Sequence, residues 1–255
     1  MSITTEALHS NAVIALSIVI PCYNEADSVP RLAQQLTEAM SAWNPRIPWE
    51  IVFVDDGSRD DTAKLIDQFS SQWQHWQLVR HDKNRGLTAA ILSGAHKAGG
   101  RWVAVLDADC TYSPRLLRML FDRAQKGFDV VTASPYHAEG QVRNVARWRI
   151  ALSRIASLMY GQLFRTHLTC YTACVRIYRR ELLCNSPQLR FTGFVGITEL
   201  LWHLERMGAK LAEVPATLHP RITGTSKMRT LHTAINHLKL MFSMIRHREN
   251  SLPRA

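Results

Sequence analysis

The feature that most constrains this chain is a repeated pairing of a short apolar run with an amphipathic segment. "ALSIVIP" (15–21), "WEIVFVDD" (49–56), "WQLVRH" (76–81), "WVAVLDAD" (102–109) and "DVVTAS" (129–134) are mostly apolar and rich in β-branched residues. Runs of this length, bounded by turn residues, read as strands buried on both faces. Helical patterns separate them: one capped by Ser28 and running to about Trp43, one opening near Asp60 or Asp61, an Ala-rich one within 84–98, and one begun by Ser113-Pro114. Such units predict an α/β fold with a mostly parallel sheet and helices on both faces. Sheets of this kind bind ligands outside the carboxyl ends of their strands. Two runs end there in acids, Asp55-Asp56 and Asp107-Ala108-Asp109.

The second half is less regular. Helices are expected over 144–164 and 197–208, the latter closed by Gly208, with strands over 171–180 and 210–218 and a last helix near 229–247. No linker divides the chain. Its 255 residues, 46% hydrophobic, are enough for one continuous core. The expectation is a single domain over 1–255.

The net charge of +10 is unevenly distributed. Residues 1–134 carry 13 Lys and Arg against 15 Asp and Glu, whereas residues 135–255 carry 18 against 6. The second half is thus suited to an anionic partner such as a phosphorylated substrate, anionic lipid or nucleic acid. No stretch approaches the ~18 apolar residues that span a bilayer, and the first residues lack the basic start of a secretory signal. The five cysteines are odd in number and form no C-x-x-C pair. Cys170 and Cys174 alone make a poor zinc site. These features read as a cytoplasmic chain with reduced thiols.

Two aspartates one residue apart repel each other when ionised, and a divalent cation removes the repulsion. Carboxylate oxygens in this number suit Mg²⁺ or Mn²⁺, with water and substrate phosphates completing the shell. Asp107 and Asp109 are therefore the candidate metal ligands.

The segments "IVIPCYNEADSVPRL", "EIVFVDDGSRDDT", "NRGLTAAILSGAHKAGGRWVAVLDAD" and "GTSKM" together resemble the inverting family 2 glycosyltransferases of GT-A fold. The similarity is greatest to those that use polyprenyl (dolichyl) phosphate. It is dense over about 16–115 and thinner over 129–230. It implies a nucleotide-sugar-binding half over 1–134 and an acceptor-binding half over 135–255. Pro21, Tyr23, Asn24 and Glu25 match the loop that holds the nucleoside. Asp55 and Asp56 match the tip that contacts base and ribose. Asn84, Arg85 and Gly86 match the turn beneath the nucleotide, and Asp107 and Asp109 match the metal-gripping D-x-D motif.

The acceptor decides whether a base is needed. A hydroxyl acceptor needs an acid-base residue. The candidate is Glu199, which equally fits a carboxylate drawn to a helix N-terminus. A polyprenyl phosphate needs cations instead, and Arg143, Arg176, Arg221, Ser226 and Lys227 are the candidates, Arg176 and the last three by resemblance to family segments. The chain departs from the family pattern in reading "CYTACVR" where relatives have D-x-T-S-G-F-R. The last helix fits either a membrane surface or core packing. The expected function is metal-dependent hexosyl transfer from a GDP- or UDP-sugar to polyprenyl phosphate, peripheral at the inner face of a membrane. Transfer to a hydroxyl is the alternative, and a non-catalytic nucleotide-sugar or nucleic-acid binder is more distant, since no recognition helix or stacking surface stands out.

Overall fold

The computed structural model describes residues 14–43, 47–71, 73, 75–221 and 230–249. Strands β1 (Leu16–Cys22), β2 (Trp49–Asp55), β3 (Trp76–Arg80) and β4 (Trp102–Val105) alternate with helices α1 (Val29–Ser41), α2 (Thr62–Ser70) and α3 (Leu87–Lys97). Helix α4 (Leu116–Ala124) leads into β5 (Val130–Ser134). Then follow β6 (Gln141–Val142), α5 (Arg147–Gly161), β7 (Arg176–Arg179), α6 (Arg180–Cys184) and α7 (Gly193–Arg206). Strands β8 (Leu211–Pro215) and β9 (Thr217–Leu218) and helix α8 (Thr230–Glu249) complete the order.

Seven strands form one sheet in the order β3-β2-β1-β4-β7-β5-β8, and β6 pairs with β9 in a small second sheet. Within the large sheet every neighbouring pair is parallel except the two made by β7. The pleat sends alternate residues to opposite faces. Ile18, Ile20, Ile51 and Phe53 join a core with Leu36 of α1 and Leu120 of α4. Val19, Val52, Val54 and Val105 join another with Ile91 of α3 and Leu200 of α7. Both faces are covered, which is why the runs are apolar without alternation. At Gly94 an added Cβ would lie 2.5 Å from Val19 Cγ1, so α3 can rest directly on β1 only because that residue has no side chain.

At the amino ends of the strands, buried Glu50 accepts from Ser17 Oγ (2.6 Å), Gly99 N (2.6 Å) and Gln77 Nε2 (2.9 Å). One carboxylate thereby ties β1, β2, β3 and the turn before β4 together.

Three expectations change in detail. The fourth run was expected to stay extended to residue 109, but β4 ends at Val105. Leu106 still donates its amide to Val19 O (3.1 Å), and the chain then turns, with Cys110 at a φ of 58°. Beyond Val105 no residue of β7 remains to pair with, because the register ends at Val105 opposite Arg176. The strand expected over 171–180 is ordered only at 176–179, and it runs antiparallel between two strands of the opposite direction. Ser28 takes the N-cap position of α1 but makes no side-chain capping bond, and its hydroxyl donates to Glu25 Oε2 (3.0 Å) instead.

The structure also corrects the reading of Arg176 as a phosphate ligand. This side chain is fully buried. Its Nε donates to Thr132 Oγ1 (2.9 Å), Nη1 to Ile197 O (3.2 Å), and Nη2 to Tyr171 O. It fastens β7 to β5, to α7 and to the loop before it, and no acceptor can reach it. Arg176→Ala leaves those oxygens buried without a donor and opens a cavity. The expected outcome is a loss of about 3 kcal/mol or more of unfolding free energy, read from urea titration of tryptophan fluorescence.

Candidate active site

The sheet presents the loops after β1, β2 and β4 along one edge, as parallel topology requires. The first two are stitched to each other. Asn24, at a φ of 51°, accepts from Arg59 N through Oδ1 (2.8 Å) and donates its own amide to Ser58 Oγ (2.9 Å). Glu25 N donates to Thr62 Oγ1 (2.8 Å). Asn24 therefore holds two loops in register. Pro21 lies within β1 opposite Val54, and Tyr23 sits half-buried just beyond the strand.

Asp55 and Asp56 are both buried. Asp55 accepts from Ser58 N (2.9 Å) and lies 3.5 Å from Arg80 Nε. Asp56 accepts from Arg85 N (2.8 Å) and Gly86 N (2.8 Å), and His81 Nδ1 lies 2.7 Å from its Oδ1. The far nitrogen of His81 is 2.9 Å from Ser93 Oγ. Asp56 was expected against base and ribose, yet its two oxygens are occupied by the 85–86 turn and the His81 ring. It acts by shaping that turn. Gly86 adopts a φ of 93°, and a side chain there would approach Thr192 Cβ to 3.1 Å, so the turn needs glycine for conformation and for closeness to α7. Asn84 is exposed, and Arg85 pairs loosely with Asp82 at 3.8 Å. His81 and Ser93 carry no signal of their own in the sequence, since their link to Asp56 forms only when β2, β3 and α3 are packed together.

Asp107 and Asp109 stand in the turn after β4. Asp109 Oδ1 accepts from Thr111 N (3.1 Å). Arg221, on the segment after β9, reaches across from the other half. Its Nη2 donates to both oxygens of Glu25 (2.7 and 2.5 Å), and Nη1 lies 3.7 Å from Asp109 Oδ2. Three carboxylates and one guanidinium thus share the edge of the sheet. Burial and the nearby Asp109 charge push the Asp107 carboxyl up to about 7. Glu25 adds to the rise, while a hydrogen bond from Cys174 and the Arg221 charge oppose it. Burial also holds the Cys174 thiol protonated, so that it can donate. Cys174 occupies the glycine position of the family segment D-x-T-S-G-F-R, and this departure places a donor directly on the D-x-D motif.

Among the described residues no three His, Cys, Asp or Glu side chains are arranged to hold a metal ion. Asp107 and Asp109 offer two carboxylates whose repulsion a hard cation would relieve, which leaves further ligands to come from phosphate and water. The donor set fits such an ion.

Glu199, the candidate base, is buried. Its Oε2 accepts from the amides of Arg190 and Phe191 (both 2.9 Å), and Oε1 lies 3.9 Å from His203 Nε2. Burial raises its pKa, and those amides pull it back. It anchors the loop before α7, so the side chain offered as a candidate base has a structural role. Glu205 does the same for the amides of Arg165 and Thr166, and Glu213 for Thr169. Arg143 lies exposed on β6's flank and bonds Gln141 Oε1 through Nη2 (2.9 Å). It lines a cavity of about 520 Å³ with Arg31, Gln35, Asn144 and His219, next to Cys110. Arg31 lies within a motif segment but was given no role by it, and His219 lies in no motif; both come to this cavity through the fold. Ser226 and Lys227 lie outside the described residues.

A mostly parallel α/β sheet that presents an Asp-x-Asp pair at its carboxyl edge is the architecture of the GT-A glycosyltransferases. The model of Glycosyl transferase family 2 matches residues 17–185, and the chain belongs to that family. It is 28% identical over 235 residues to a dolichol-phosphate mannosyltransferase of Pyrococcus furiosus, covering 91% of this chain and 62% of that protein's length. It is 32% identical over 217 residues to a polyprenol monophosphomannose synthase of Mycolicibacterium smegmatis, covering 83% of this chain and 80% of the relative. The fold is also that of glucosyl-3-phosphoglycerate synthase from Mycobacterium tuberculosis, solved with Mn²⁺ and uridine diphosphate. The TM-score is 0.66 at 16% identity, over 92% of this chain and 79% of the other.

The raised Asp107 pKa sets the sign of a pH effect. The folded protein holds this proton more tightly than the unfolded chain does. Ionisation of Asp107 therefore weakens folding progressively as pH rises from about 4 to about 7. In the presence of a chelator, Asp107→Asn is expected to raise Tm by several degrees at pH 8 and to change it little at pH 4. Equal Tm values at pH 8 would show that the carboxylates do not strain the fold.

Proposed function

We propose that the chain transfers a hexose, with inversion, from a GDP- or UDP-sugar to the phosphate of a polyprenyl phosphate, with the aid of Mg²⁺ or Mn²⁺. The donor lies on the 1–134 half against Pro21, Tyr23, Asn24 and the Asn84–Gly86 turn. The acceptor lies on the 135–255 half. The observation that carries this reading is the contrast between the two halves. The first delivers an Asp-x-Asp pair to an open edge, while the best-placed carboxylate of the second, Glu199, is committed to a loop.

A phosphate monoester is already ionised near neutral pH, so its oxygen can attack the anomeric carbon without a base. The C1–O bond to the nucleoside diphosphate breaks as the new bond forms, which inverts the centre. Asp107 and Asp109 would hold the divalent cation, which when bound stabilises the negative charge left on the nucleoside diphosphate. Arg221 would exchange Glu25 for phosphate oxygens, as a guanidinium readily does; its contacts with Glu25 and Asp109 support this. Ser226 and Lys227 follow Arg221 in sequence and would extend the clamp. The names of the Pyrococcus and Mycolicibacterium relatives support a polyprenyl phosphate acceptor and a mannosyl group. The Mn²⁺ in the mycobacterial structure supports the cation. Because such an acceptor lies in a bilayer, this reading sets the domain against a cytoplasmic membrane face.

Purified protein is to be incubated with GDP-mannose or UDP-glucose, Mn²⁺ or Mg²⁺, and either polyprenyl phosphate or unphosphorylated polyprenol. Lipid-linked sugar is expected from the phosphate alone. Asp109→Asn should cost at least about 100-fold in turnover, whereas Glu199→Gln, which can still accept from both amides, should stay within a few fold. A loss for Glu199→Gln as large as for Asp109→Asn, together with product from polyprenol, would replace this reading by hydroxyl transfer.

A further inference from the structure

The cavity between α1 and the ends of the small sheet gathers positive charge that no carboxylate in its wall balances. Its volume is about 520 Å³, within the range of small-molecule sites. Four separate stretches of chain wall it. Helix α1 supplies Arg31 and Gln35, one helical turn apart, and the stretch after β6 supplies Arg143 and Asn144. The turn after Asp109 and the stretch after β9 close it with Ser113 and His219. Backbone hydrogen bonds hold these stretches in place, from Arg143 N to Leu218 O (2.9 Å) and from His219 N to Thr111 O (2.9 Å). Of the three non-glycine residues that adopt positive φ among the described residues, Cys110 (58°) and Asn144 (50°) both line this cavity. Such backbone is disfavoured for residues with a side chain and collects where ligands are held.

The polar groups of the wall are largely unused by the protein itself. No Asp or Glu lines the cavity. Among the described residues no carboxylate lies within ion-pair distance of Arg31, Arg143 or His219. Arg143 meets only the neutral Oε1 of Gln141, 3.2 Å from Nε and 2.9 Å from Nη2. The Oε1 of Gln35 is buried with no hydrogen-bond partner. Two guanidiniums on one space, with an imidazole beside them, suit the two negative charges of a phosphate monoester. The uncharged groups choose among phosphates. Gln35, Asn144 and Ser113 can exchange hydrogen bonds with hydroxyls. No Phe, Tyr or Trp stands in the wall to stack on a nucleobase. Cys110 and Pro220 are its only apolar residues, too few to receive a lipid chain.

We propose that this cavity binds a water-soluble phosphorylated polyol, such as a sugar phosphate, with Arg31 and Arg143 on the phosphate and the Gln35 and Asn144 amides on the hydroxyls. Arg143, expected from its charge to meet the acceptor, serves this ligand instead. Neither Asp107, Asp109 nor Arg221 lines the cavity. The site therefore adjoins the acidic edge, through the turn after Asp109, without sharing its charges. It does not depend on which donor or acceptor is used there.

The test is isothermal titration calorimetry of the whole chain, with a chelator present and no nucleotide-sugar, using glucose 6-phosphate, glucose and inorganic phosphate as probes. Glucose 6-phosphate should bind at least about tenfold more tightly than either glucose or inorganic phosphate, because only it engages both the guanidiniums and the amides. Binding should weaken in high salt. Arg31→Gln and Arg143→Gln change exposed residues and should each weaken it at least about tenfold. Arg118→Gln, on α4 and outside the cavity, should leave it unchanged. Unaltered far-ultraviolet circular dichroism and Tm would establish that the variants fold. Transfer to a short-chain, water-soluble polyprenyl phosphate should stay within a few fold in Arg31→Gln, which separates failure of this site from failure of the proposed reaction. Absence of glucose 6-phosphate binding, or binding that ignores the two cavity variants, overturns the proposal. Inorganic phosphate binding as tightly as glucose 6-phosphate reduces the site to one for an adventitious ion only and overturns it too. So does a KM for polyprenyl phosphate that rises in Arg31→Gln as steeply as glucose 6-phosphate binding falls, which would make the cavity part of the acceptor site.

Discussion

Crowding of negative charge at the carboxyl edge of the sheet organises this protein. Two neighbouring strands, β1 and β4, end within reach of one another, and their loops deliver Glu25, Asp107 and Asp109 to a shared space. Left alone, such groups repel, and the burial of Asp107 sharpens the conflict by raising its pKa to about 7. The fold answers with one guanidinium. Arg221 comes from the far half of the chain, bonds both oxygens of Glu25 and approaches Asp109. The positive charge that the site demands is thus supplied from within until a ligand provides its own. The same residue links the donor side to the acceptor side, so the edge where chemistry is proposed is also the seam between the two halves.

Elsewhere in the fold, carboxylates serve mainly as staples. Asp56 holds the turn at Arg85 and Gly86, and Glu50 gathers the amino ends of the strands. In the basic half Glu199, Glu205 and Glu213 each accept backbone amides from a loop. A buried carboxylate that receives two amide bonds is well compensated, and a loop held this way keeps its shape without secondary structure. One consequence is electrostatic. Because these acids face inward to their own backbone, the excess of Lys and Arg in residues 135–255 is left largely to the surface. A second consequence bears on mechanism, for an acid so occupied is poorly placed to take a proton from an acceptor.

Much of the architecture was legible because parallel strands buried on both faces leave a strong local signature. Val-Ile runs at 16–22, 49–55 and 102–105 could fold in few other ways, and the acids that end two of them mark the active edge by topology alone. The role of Asn24 in joining two loops, the His81–Asp56 pair and the Cys174 contact to Asp107 were not legible. Each depends on residues distant in sequence that meet only when the sheet is assembled. Strand β7 shows the same limit. Alternation of polar and apolar residues signals a strand but carries no direction, and the antiparallel insertion between β4 and β5 follows from where the chain returns to the sheet.

The division between sequence and fold is clearest for the charged residues. Local pattern by itself determined the α/β class, the order of most elements, the Asp107–Asp109 pair and the basic bias of the second half, because these are properties of neighbouring residues or of composition. Only the tertiary structure decided which charges remain available. Arg176 matched a family segment as well as Arg221 did, yet the first is sealed in the core and the second reaches the acidic edge. Glu199 and Asp109 are both carboxylates near an element's end, and packing turned one toward backbone amides and left the other partly open. Exposure and hydrogen bonding are set by the whole chain at once. A charged side chain therefore has no assigned role until its surroundings are complete.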